Sequence, residues 1–170
     1  MQTFLTLFAF VGRLIPHPWN ISPVGASGLF AGAHLPLWRA WLVPVLPMLM
    51  ADLLLGFYDW QSMAFVYAGF AASVLVGRLM LARAQKPGRV AAAVAVNAAL
   101  FFLLSNLGPV LAGFYPLTGE GILAAYVAGL PFLAASLIGD GAYAVVLFGG
   151  YALARDRGWL LARAVQRRGV

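Results

Sequence analysis

Residues 13–33 read RLIPHPWNISPVGASGLFAGA, and this run decides what kind of fold the chain can have. An apolar stretch ends at Pro16, as the steric restriction on residues preceding proline requires of a helix. A polar loop follows, with Arg13, His17, Trp19 and Asn20 set among Pro16, Pro18 and Pro23. Ser22-Pro23 then supplies a cap residue and a proline at the first helical position. Beyond it, Ser27/Ala31 and Gly28/Gly32 place small residues at i, i+4, a spacing that lets helix backbones approach closely in lipid. The run therefore predicts a helix, a polar lid or binding loop, and a helix built for packing or docking.

The composition says in which solvent this happens. Of 170 residues, 63% are hydrophobic and only 9% charged, with a mean hydropathy of +0.90. A water-soluble domain needs a polar shell that this chain lacks, so the bilayer is its solvent. The formal charge of +6 falls at helix ends instead of on a polar face, which reads as a topology signal and not as a nucleic-acid surface. The chain has no cysteine, excluding disulfides, thiolate-held metals and thiol chemistry. Arg13 follows the first apolar run instead of preceding it, so a cleaved signal peptide is not expected.

Outward from the opening run, the pattern predicts an all-α polytopic membrane protein with about six transmembrane helices. These cover residues 2–15, 22–35, 40–57, 62–82, 90–113 and 121–154. The last is too long for one straight crossing and is interrupted by Gly129-Leu130-Pro131, yet it is read as one broken or tilted helix. Residues 1–154 form a single helical domain, and residues 155–170 a basic amphipathic tail that lies on an anionic leaflet. Six crossings place ten of the eleven basic residues on one side and leave Arg13 alone on the other. Both termini are then cytoplasmic, and residues 16–21, 58–61 and 114–120 face outward.

Ionisable side chains inside spans are costly, so each is a candidate site. Asp52 can pair with Arg13 across the bundle, either as part of a site or as a structural ion pair. Asp140, with Tyr143 one turn on, suits a proton or cation site, or a packed hydrogen bond to Asn97, Asn106 or Ser136. His17 is a candidate ligand contact in the outer loop and His34 a structural residue at the cytoplasmic interface. Trp19, Tyr58, Trp60, Phe114 and Tyr115 gather on the outer loops as an aromatic belt or as the mouth of a binding site. No nucleophile lies at motif spacing from a base, no glycine loop suits phosphate, and no metal-ligand set is present, so the chain is read as a non-enzyme without a cofactor or metal.

Several strings, Arg13-Leu14-Ile15-Pro16-His17-Pro18 with Asn20, Ala51-Asp52-Leu53-Leu54-Leu55-Gly56-Phe57, Ser105-Asn106-Leu107-Gly108, Tyr115-Pro116-Leu117-Thr118 and Gly139-Asp140, resemble a bacterial family of small, uncharacterised six-helix integral membrane proteins. That family is similar in size and span number to the substrate-binding components of energy-coupling-factor (ECF) vitamin transporters. The resemblance implies a multi-pass protein of the bacterial inner membrane that holds a small nutrient, a vitamin such as cobalamin, in an outward pocket roofed by residues 16–21 and 114–120. It implies contacts from Arg13, His17, Trp19, Asn20, Asp52, Tyr58, Asn106, Tyr115 and Asp140. It also implies docking of a coupling subunit on Ser27, Gly28, Ala31 and Gly32. The expected partners are thus lipid, a small-molecule substrate and that subunit, with no nucleic acid. The alternatives are a non-transporting structural or assembly protein and a proton-coupled transporter centred on Asp140.

Overall fold

The computed structural model describes residues 1–16 and 20–158. His17 and Trp19 therefore lie outside the described residues, as does the tail from residue 159 onward. Helices make up the fold, with no strand among the described residues. They are α1 (Gln2–Leu14), α2 (Val24–His34), the short α3 (Leu37–Ala40) running into α4 (Leu42–Leu55), and α5 (Trp60–Val76) extended by a π-helical turn (Gly77–Leu81). Then come α6 (Pro87–Ser105), α7 (Leu107–Leu111), and α8 (Gly119–Ala144), continued through a second π turn (Val145–Gly149) into α9 (Gly150–Asp156).

Four helical segments are long and apolar enough to cross a membrane: Leu37–Leu55, Trp60–Leu81, Pro87–Leu111 and Gly119–Asp156. Their outer faces are apolar and exposed, as lipid contact requires; Leu53, Leu54, Leu55, Leu79, Leu123 and Val145 are all more than half exposed. Pro131 sits inside α8 without ending it. The last segment is accordingly one continuous helix of 38 residues, about 57 Å long and longer than the roughly 30 Å hydrocarbon core. Asn106 marks the break between α6 and α7.

The centre of the bundle is α2. Every residue from Val24 to Ala33 is buried, enclosed by α1, α4, α5, α6 and α8. Its small residues make this possible. A Cβ on Gly28 would collide with the Ser73 side chain, one on Gly32 with the Val74 carbonyl, and one on Gly77 would strike the Leu29 carbonyl from the other side. Ser27, Gly28, Ala31 and Gly32 thus pack α2 inside the chain's own bundle, and they present no surface on which a separate subunit could dock.

Short α2 also fixes where the opening loop lies. Its C-terminal end is at the basic end of the bundle, where Gln85 Nε2 meets His34 Nε2 at 3.0 Å and the Arg78 guanidinium donates to the Leu35 carbonyl. Eleven residues rise only about 16 Å from there. The described residues just before α2 therefore lie part-way along α8, with Asn20 Nδ2 3.4 Å from the Phe132 carbonyl and Ile21 against Gly139. Phe132 lies 13 residues into α8 (119 to 132), about 20 Å below its first residue. Residues 16–21 were expected to roof a pocket; of these, the described Asn20 and Ile21 meet α8 part-way along its length.

Close approach at α2 yields a direct test. Gly32→Leu forces a side chain against the Val74 backbone, which cannot yield, and is expected to destabilise the protein by about 3 kcal/mol. Gly141→Ala, where a Cβ meets nothing within 4 Å, is expected to change stability by less than about 1 kcal/mol. Thermal unfolding of the detergent-solubilised protein measures both.

Candidate functional site

The described site residues fall into three groups. In the first, α1, α4 and α5 meet. Arg13, in the last turn of α1, donates from Nη2 to Asp52 Oδ1 at 3.1 Å, with Asp52 almost wholly buried. The Tyr67 hydroxyl donates to Asp52 Oδ2 at 2.7 Å. Both carboxylate oxygens are thus engaged, which is how a charge is kept tolerable in a low-dielectric interior. Tyr58 stands beside this pair in the loop after α4; burial and the charge of Asp52 push its phenol up to about 12, with Arg13 opposing and Asp59 adding. It remains a neutral hydrogen-bond donor at physiological pH. Tyr67 went unnoticed among the sequence candidates, although Asp52 and Tyr67 mirror each other across the turn at residues 59–60 and so lie at one depth.

A second group surrounds Asp140. Its Oδ1 accepts the backbone N–H of Ala26 at 3.1 Å, and its Oδ2 accepts Asn97 Nδ2 at 2.8 Å. Ala26 is in the first turn of α2, whose N-terminus has no side-chain cap of its own. Asp140 therefore caps α2 from a position 114 residues away, placing negative charge at the positive end of the helix dipole. Gly25 makes room, since a Cβ there would run into both carboxylate oxygens. Of the hydrogen bonds anticipated for Asp140, the one to Asn97 is present.

The third group forms an open pocket of ≈ 470 Å³ between α7, the turn at residues 112–118 and α8. Asn106, Pro109, Phe114, Tyr115, Gly129 and Phe132 are among its lining residues. Asn106 anchors its Nδ2 on the Phe102 carbonyl at 2.8 Å, and Gly129 lets α8 come against the amide. The turn is held by its own contacts: Thr118 caps α8 by accepting from Gly121 N–H at 3.2 Å, and Gly121 lies directly on the Pro116 carbonyl. The structure brings Asn106 and Tyr115 together, joins Asn20 to their pocket through the Phe132 carbonyl, and keeps Arg13, Asp52, Tyr58 and Asp140 out of its lining. Phe132 carried no signal in sequence beyond being apolar.

Glu120 occupies the first turn of α8, where a negative charge suits the helix dipole. His34 is held by the Phe30 carbonyl at 2.9 Å, stacked on the Phe30 ring, with Tyr151 edge-on and Phe148 tilted beside it. Among the described residues no three His, Cys, Asp or Glu side chains gather to hold a metal ion.

The ion pair makes a second test. Arg13→Leu leaves Asp52 charged and buried without its cation and is expected to cost about 2 kcal/mol, the lower side of the usual range because Arg13 is partly exposed. Arg13→Leu/Asp52→Leu removes both charges and is expected to cost less than the single change. A double-mutant cycle on thermal unfolding reads the difference.

No curated protein and no solved structure matches the chain. A family profile does, and it covers nearly all of the sequence: the chain belongs to the family of unknown function DUF6580, which it matches over residues 1–162.

Proposed function

We propose that this protein is a bacterial inner-membrane substrate-binding component, similar in kind to those of ECF transporters, which holds a small nutrient in the pocket between α7 and α8. The observation that carries the reading is the lining itself. Aromatic rings of Phe114, Tyr115 and Phe132 line the pocket with one fixed amide, Asn106, whose Nδ2 is already spent on the backbone and whose Oδ1 lies beside Gly129 of α8. A cavity of ≈ 470 Å³ falls within the usual range for small-molecule sites, roughly 300–1,000 Å³. Rings to stack on and one amide suit a planar heterocyclic vitamin. Cobalamin is too bulky to be enclosed there.

The topology we propose has six helical segments entering the membrane, four as full crossings and α1 and α2 as a shorter hairpin, with both termini cytoplasmic. Support comes from charge: Arg39, Arg78, Arg83, Lys86, Arg89, Arg155 and Arg157 all belong to one end of the bundle, and Arg13 is separate from them. The pocket then opens outward. The proposed role is binding, by the aromatic rings and the single amide of the pocket lining. Asp52 and Asp140 serve the bundle and stand outside the ligand pocket. If a coupling subunit is a partner, its docking surface is one other than α2.

Isothermal calorimetry on the detergent-solubilised protein against a panel of water-soluble vitamins is expected to find one that binds at micromolar Kd or tighter. Tyr115→Ala and Asn106→Ala are each expected to weaken it by about tenfold, the worth of one stacked ring or one hydrogen bond. The absence of binding anywhere in the panel, cobalamin included, would overturn the reading.

A further inference from the structure

Behind the cap of α2 lies a small cavity of ≈ 10 Å³, lined by Asn20, Ser22, Phe70, Asn97, Phe101, Ser136 and Asp140. That volume is about one water-sized sphere. Among the described residues Asp140 is the only ionisable group in the lining, and the one basic side chain on α1, Arg13, is taken by Asp52. Asn97 is 1% exposed, and with Nδ2 given to Asp140 its Oδ1 is buried without any hydrogen-bond partner. The amide geometry points that oxygen away from the nitrogen that meets the carboxylate, so it cannot also accept a proton from Asp140. An unpaired acceptor buried inside the bundle is costly. Ser22 and Ser136 are likewise buried, and Ser136 lies one turn before Asp140 on the same face of α8.

We propose that this cavity is a binding site for a small monovalent cation, sodium, held by the Asp140 carboxylate, Asn97 Oδ1 and the hydroxyls of Ser136 and Ser22. The donors are all hard oxygens, which is what such a cation takes in place of its hydration shell. One carboxylate balances one positive charge; a divalent ion would leave a net charge buried in the bundle. The cavity also has no room for the waters that magnesium retains. Bound here, the ion ties α2, α6 and α8 together at a single point. It also fixes the loop, because Asn20 both lines this cavity and donates to the Phe132 carbonyl at the bottom of the ligand pocket.

The cation site does not rest on the ligand-binding reading, and its experiment is run without a vitamin. Thermal unfolding of the purified full chain is followed as NaCl replaces choline chloride at constant ionic strength, at pH 6 and pH 8. Tm is expected to rise saturably, by about 5 °C at saturating sodium, with a smaller rise in KCl. Ser136→Ala keeps both hydrogen bonds of Asp140, and Ser22→Ala also leaves them in place; each is expected to raise the sodium concentration at half-effect by at least about fivefold. An identical Tm in NaCl and choline chloride at both pH values overturns the proposal, as does a rise that KCl reproduces in full or that both serine variants retain with an unchanged midpoint.

Discussion

Everything in this bundle is arranged around the ends of one short helix. α2 begins inside the bundle, its first turn wholly buried, so the free N–H groups of that turn need protein partners. Asp140 reaches them from α8, and at the other end the Arg78 guanidinium reaches the Leu35 carbonyl from the turn after α5. A negative side chain at the N-terminus and a positive one at the C-terminus match the helix dipole at both ends. The two charged groups are thereby committed to holding three helices in register, and the small-residue faces of α2 and α5 close because that register lets them.

This constraint explains features that otherwise look unrelated. α2 is shorter than its neighbours, and the described residues just before it, Asn20 and Ile21, meet α8 part-way along its length, at Phe132 and Gly139. The outer parts of α6, α7 and α8 extend beyond α2, and the space they leave is where Asn106, Tyr115 and Phe132 meet. Asp52, paired with Arg13 and Tyr67, pins the α1 and α4 side of the bundle. The polar residues of the membrane interior therefore shape the pocket without lining it, which separates what holds the fold from what meets a ligand.

Much of the fold was legible in the sequence, because apolar runs bounded by proline, glycine and basic residues define helices almost by themselves. The extents of all six helical segments agree to within about three residues, and scarcity made the Arg13–Asp52 pair readable: few charges can face each other in so apolar a chain. The prolines at 23 and 36 bracket α2, so its shortness was also present in the sequence. What could not be read was rotation. The facing of Asp140 toward Ala26 depends on how α8 is turned about its axis, and the hydrophobicity of α8 is nearly uniform around its circumference. Phe132 was hidden for the same reason, and the two π turns have no local signature.

The central claim is that a pocket open to the outside lies between α7 and α8 while the basic loops face the cytoplasm. Since the chain has no cysteine of its own, single cysteines report this cleanly. Ala128→Cys, in the pocket lining, and Gln85→Cys, beside His34 at the basic end, are treated with a membrane-impermeant maleimide in spheroplasts. The account predicts that Ala128→Cys labels in intact spheroplasts and that Gln85→Cys labels only after permeabilisation. Labelling of Gln85→Cys in intact spheroplasts, with Ala128→Cys protected until the membrane is opened, would contradict it.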